Sequence, residues 1–151
     1  MKIKFKNSFH RKAFTDFVSE NIKDPYASRF DSTGCRTVSP KGAARTPRQQ
    51  SETRYIAAVF LLSSDKFLWK RSLNALTGYF INFNDLYITG ISTDGYALFK
   101  AAKMVYKGES DISLNELCDP NLIDYPTVMT IFAGVALLRN GIGMLNWKVK
   151  A

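Results

Sequence analysis

The sequence predicts a mainly α single domain: five to six helices around a central apolar helix, with a minor β pairing of the chain termini. Three observations carry that expectation. Apolar residues recur at helical spacing through most of the 151 residues. Ser, Thr, Gly and Pro punctuate those stretches where caps and stops belong. Period-two alternation is confined to the two ends. A chain of this length buries about two thirds of its unfolded surface and needs no disulfide or metal staple. With 46% hydrophobic and 13% aromatic residues, chain-wide disorder is excluded.

Lys2-Ile3-Lys4-Phe5-Lys6 alternates as an edge strand does, and so does Asn146-Trp147-Lys148-Val149-Lys150. Two lone terminal strands of like pattern are expected to pair with each other. Ser8 is placed to cap a helix running to about Ile22, with Phe14, Phe17, Val18 and Ile22 inward and Arg11, Lys12, Asp16 and Glu20 outward. Asp24-Pro25 ends it, since the residue before proline avoids the helical region. Residues 24–45 hold no period, and such a long irregular stretch within a domain is usually either functional or mobile.

Thr46-Pro47-Arg48-Gln49 is a helix start, with Thr as cap and Pro at the first position. That helix should run to about Leu62 and bury Tyr55, Ile56, Val59 and Phe60. Ser64 then caps a helix from Asp65 to about Ala75, stopped by Thr77-Gly78. Residues 79–91 are aromatic and β-branched, fitting either a short hairpin or an irregular connection. Ser92 or Thr93 opens an amphipathic helix to about Lys107, ended by Gly108. Its core stripe is Leu98, Phe99, Ala102, Val105 and Tyr106; Lys100, Lys103 and Lys107 form its wet face. Ser113-Leu-Asn-Glu116 is a capping box for a short helix before Asp119-Pro120. Residues 126–139 read as a helix apolar on all sides, hence the expected centre of the fold.

In order along the chain stand Phe5-x-Asn7-x-x-His10-x-x-x-Phe14, then Tyr55-Ile-x-x-x-Phe60-Leu-Leu-Ser63 followed by Phe67-Leu-Trp69. A Thr93-Asp-Gly helix ending Val105-Tyr106-x-Gly108 comes next, then Ile112-Ser113-Leu-x-Glu116-Leu and Leu138-Arg139-Asn140-Gly141. This order resembles a family of small proteins, a domain of unknown function, from Gram-positive bacteria, their phages and mobile elements. The resemblance covers most of the chain outside residues 24–45, which stand as an insertion. It implies a phage or mobile-element setting, where small proteins often blunt host defences such as CRISPR nucleases. It implies no known activity and carries over no catalytic residue.

Catalytic patterns are sparse. His10 is the one histidine, followed by Arg11 and Lys12, and nothing in sequence ties it to Cys35, Cys118 or a serine. It is expected at the surface or helix start. Three Cys and His residues scattered through the chain lack zinc spacing. Pro40-Lys41-Gly42-Ala43-Ala44-Arg45 lacks the phosphate-loop pattern, and Asp16 with Glu20 reads as a solvated helix face. The sequence therefore predicts no enzyme, no metal and no cofactor.

Charge is the positive signal. Residues 1–54 hold twelve Lys and Arg against five Asp and Glu, while residues 55–151 hold nine against eight, so the first third carries nearly all of the net +8. Arg29, Arg36, Lys41, Arg45, Arg48 and Arg54 are mostly Arg, whose planar fork binds carboxylate or phosphate in two-point fashion. Tyr26 and Phe30 interleave with them, offering rings that stack on bases or anchor a protein interface. These eight residues are the expected partner-binding set. The expected partner is a host protein or protein–nucleic-acid complex; the alternative is nucleic acid bound directly through phosphates. No stretch of about 20 apolar residues exists to span a bilayer, the first twelve residues carry no signal-type apolar run, and no cysteine framework is present. A cytoplasmic location is expected.

Overall fold

Asn7 Oδ1 accepts the amide of His10 at 2.8 Å, and the Arg11 amide donates to the Asn7 carbonyl at 3.2 Å. Asn7, not Ser8, is thus the cap of the first helix, α1 (Ser8–Asn21). The computed structural model describes residues 3–21, 47–77, 80–109 and 112–141. Its further elements are α2 (Pro47–Leu62), α3 (Lys66–Ser72) with a 3-10 turn at Leu73–Ala75, β1 (Leu76–Thr77) and β2 (Phe80–Ile81). A 3-10 turn at Phe83–Asp85 follows, then α4 (Thr93–Lys107), α5 (Leu114–Leu117) and α6 (Tyr125–Asn140). The chain is mainly helical, as expected. None of the described helices is long and apolar enough to cross a membrane.

Polar side chains fix the junctions. Ser63 Oγ donates back to the Phe60 carbonyl at 3.1 Å and Ser64 Oγ to the Leu61 carbonyl at 2.6 Å, closing the end of α2. Ser64 is therefore spent on α2, and Asp65 caps α3 by accepting the Leu68 amide at 2.9 Å. Ser92 accepts the Gly95 amide at the start of α4, and Gly108, at φ 76°, ends it with its amide on the Met104 carbonyl. Ser113 accepts the Glu116 amide at 3.1 Å, as its capping box requires. Asp124 caps α6 through the Thr127 amide at 2.9 Å. The Asp124 amide in turn donates to Asp94 Oδ1 at 3.0 Å, which ties the start of α6 to the first turn of α4.

Ile3, in the N-terminal segment, stands in a β-bridge, and the sheet among the described residues lies after α3. It is a two-stranded antiparallel hairpin pairing Leu76 with Ile81 and Thr77 with Phe80. Residue 2 and residues 146–150, half of the expected terminal pairing, lie outside the described residues. From Asn82 to Gly90 the connection is irregular apart from its 3-10 turn.

The centre of the fold is α2. Every residue of α2 from Tyr55 on is at most 1% exposed, and the helix packs against α1, α3, α4 and α6. The expectation that residues 126–139 form the centre is corrected: α6 buries one stripe, Thr127, Thr130, Ile131, Gly134 and Leu137. Its opposite face, Tyr125, Met129, Phe132 and Val135, is exposed. The reason is packing geometry. The final turns of α2 carry Ala57 and Ala58, whose small side chains let neighbours close in from every side. Gly134 gives α6 close approach to α2 along one line only, since a Cβ there would stand 2.7 Å from Leu61 Cγ.

Candidate functional site

Of the eight residues expected to bind a partner, Arg29, Arg36, Lys41, Arg45, Tyr26 and Phe30 lie outside the described residues. Arg48 lies in α2 with its side chain likewise outside them. Arg54 is described: it is exposed on α2, and its Nη2 is 3.8 Å from where a Gly108 Cβ would stand. That places a guanidinium at the C-terminal end of α4, where a cation is favoured by the helix dipole.

A second cluster, not singled out by the sequence, is built by α3. Phe67 and Arg71 are four residues apart and so share one helix face. The Arg71 guanidinium carbon lies 4.1 Å from the Phe67 ring centroid and 5.6 Å from that of Tyr87. Its Nη1 donates to the Tyr87 carbonyl at 2.8 Å and to the Thr89 carbonyl at 2.6 Å. One side chain thereby pins the irregular connection onto α3 and holds two rings against a cation, with Phe67 and Tyr87 themselves 46% and 68% exposed. The i, i+4 pair was visible in sequence; Tyr87, sixteen positions beyond Arg71, had no sequence signal tying it there.

Lys66 and Lys70 flank this stack and are exposed. Lys66 Nζ lies 5.9 Å from the Phe9 ring centroid, carrying the surface across to α1. There α1 and α3 enclose a groove of about 370 Å³ with Phe9, Ala13, Phe17, Trp69 and Leu73 along it and Lys12, Asp16 and Glu20 at its edge. Phe17 meets Trp69 edge-on at 5.2 Å and fixes the spacing of the two helices. The arrangement presents aromatic faces with cations along α3 and charges of both signs along α1, and rings beside cations concentrate binding energy at interfaces.

His10 stands in the first turn of α1, the helix-start placement expected for it, but its side chain is fully buried and not at the surface. Its Nδ1 accepts the Lys6 amide at 3.0 Å and its Nε2 donates to the Phe60 carbonyl at 2.7 Å. Phe5 at 5.1 Å and Phe60 at 4.4 Å pack against the ring. Burial lowers its pKa from 6.5 to about 4, against the raising effect of the Phe60 carbonyl and with a small lowering from Lys6. Both nitrogens are engaged, so this imidazole serves packing. Among the described residues no group of three His, Cys, Asp or Glu side chains could hold a metal ion. Cys118 is exposed. No protein-family model, curated protein or solved structure matches this chain.

Proposed function

We propose that this protein works by stoichiometric binding, docking the aromatic and cationic face of α1 and α3 on a host protein. In the fuller form of the reading it is an accessory protein of a phage or mobile element, and the target is a host defence complex such as a CRISPR nuclease. The setting rests on the order of sequence landmarks described above. The binding mode rests on one observation: Arg71 is stacked between Phe67 and Tyr87, which stay exposed, with Lys66 and Lys70 alongside.

The same stack favours a protein partner over direct phosphate binding. Arg71 Nη1 is engaged by two backbone carbonyls, and its guanidinium lies over the Phe67 ring and near that of Tyr87. What it offers outward is aromatic surface held rigid, which anchors protein interfaces at low entropic cost. His10, with both ring nitrogens bonded out of water, supports binding over acid–base catalysis.

The test is a pull-down from host lysate with the tagged wild type and Tyr87→Ala side by side, nuclease-treated and washed at low and high salt. A discrete polypeptide held by the wild type through both treatments and lost by Y87A supports the reading. Its nuclease activity should then fall to background at one equivalent of this protein. Recovery of heterogeneous nucleic acid that washes off with salt would overturn it, because phosphate contacts release counterions and weaken steeply as salt rises.

A further inference from the structure

The exposed face of α6 calls for a partner of its own. From Tyr125 to Leu138 the sequence contains no charged residue. The inward stripe of the helix meets α2 and α4, while Tyr125, Met129, Phe132 and Val135, spaced four, three and three apart, form an apolar stripe on the outside. Contiguous apolar surface of this kind marks an interaction site.

We infer that this face is covered by a second copy of the same chain, α6 packing antiparallel on α6 about a two-fold axis near Phe132. Charge selects this occupant. Each copy carries a net +8, so two copies repel, and the uncharged stretch from Tyr125 to Leu138 is where they approach at least cost. The ends of the stripe are also complementary. Asp124 caps one end and Arg139 stands in the last turn of the other, so antiparallel packing brings unlike charges together at both ends. Opposed helix dipoles act in the same direction.

Area is sufficient for a reversible dimer. Aromatic side chains present roughly 150–250 Å² each, so Tyr125 at 75% and Phe132 at 49% exposure, with Met129 and Val135, bring on the order of 500 Å² per copy. Two copies together bury about 1,000 Å², the lower bound for a specific interface. The arrangement is isologous and closes on itself, so it ends at the dimer. It leaves the α1 and α3 face free and stands whether or not that face binds a host protein.

Sedimentation velocity on the full chain, over roughly 1 to 500 µM, tests the inference; reversible dimerisation within that range is expected from an interface at the low end of size. Phe132→Glu should raise the dissociation constant by about 100-fold or more, since it places a charge at the axis in both copies. Phe132 is half exposed, so the variant should keep the far-ultraviolet circular dichroism of the wild type. Leu114→Glu, at an apolar side chain 73% exposed on α5, should leave dimerisation unchanged. A wild type that remains monomeric across the range overturns the inference, and so does a dimer indifferent to F132E or broken equally by L114E.

Discussion

The imidazole of His10 faces an amide at Nδ1 and a carbonyl at Nε2, so one neutral tautomer, protonated at Nε2, satisfies both. A second proton at Nδ1 would displace the Lys6 amide and leave a charge buried among Phe5 and Phe60. The pKa in the fold, about 4, lies below the ordinary 6.5. As pH falls, the unfolded chain therefore takes up the proton first. Stability is fully present above about pH 6.5 and is lost progressively down to about pH 4, by roughly 3 kcal/mol in all. Urea unfolding across that window should show the slope in the wild type and a flatter profile in His10→Phe, which is less stable at neutral pH. An imidazole found by NMR to titrate near 6.5 would refute the account. His10 precedes Phe14 and Val18 by four-residue steps, yet as a lone histidine before Arg11 and Lys12 it reads as a surface or helix-start residue, and nothing in sequence signals its acceptor fifty residues on. Arg71 poses the opposite case, a partly exposed side chain with a local task. Lys at this position could donate to both carbonyls from one ammonium, but it has no planar guanidinium to lie over the two rings. Arg71→Lys is expected to cost about 1 kcal/mol or less globally, yet to raise hydrogen exchange across residues 87–90, read by mass spectrometry. Unchanged protection there would show that Arg71 does not hold the connection.

At the scale of the elements, boundaries were legible where a cap stood together with its glycine stop or its capping-box partner. Ser92 with Gly108, and Ser113 with Glu116, stand where the sequence set them. Where two candidates adjoin, tertiary demand chose. Ser64 closes α2 and leaves Asp65 to cap α3, while Asn7 takes the cap expected of Ser8. Two glycines then separate backbone freedom from packing. Gly108 adopts φ 76° with space for a Cβ, so Gly108→Ala should cost about 1 kcal/mol through conformation alone. Gly134 is helical, and alanine there gains up to about 1 kcal/mol of propensity. Its Cβ, however, would meet Leu61 Cγ and Cδ2 at 2.7 Å, and Leu61 is fully buried between the helices. Overpacking in a close-packed core costs about 1–3 kcal/mol, so Gly134→Ala should destabilise. A double-mutant cycle with Leu61→Ala distinguishes the causes in thermal or urea unfolding. Favourable coupling is expected, since truncating Leu61 makes the room the new methyl needs. Additive losses would place the cost of G134A elsewhere.

For the molecule as a whole, the sequence points to α6 as the central helix and the structure puts α2 there. Both α2 and α6 are apolar over long runs, and composition alone ranks α6 as the more hydrophobic, with no charge between Tyr125 and Leu138. Position in a helical fold is settled by neighbours. The last two turns of α2 are enclosed by α1, α3, α4 and α6, whereas α6 meets α2 and α4 along one stripe and presents its other face outward. That asymmetry also explains why the two proposed binding surfaces were hard to read in sequence. The stack of Arg71 with Phe67 and Tyr87 and the stripe on α6 are surfaces only because the rest of the chain folds away from them. Two phenylalanines compare the centre with the periphery directly. Phe60, fully buried in α2 and packed against Phe5, His10 and Phe14, should cost about 3–5 kcal/mol when cut to alanine. The loss should appear together in far-ultraviolet circular dichroism and tryptophan fluorescence, because α2 joins the elements into one cooperative unit. Phe132, half exposed on α6, should lose no more than about 0.5 kcal/mol as alanine at protein concentrations where the chain is monomeric. Equal losses at the two sites would return α6 to the centre of the fold. A Phe60→Ala protein whose two signals melt apart would mean that α2 does not couple the helices around it.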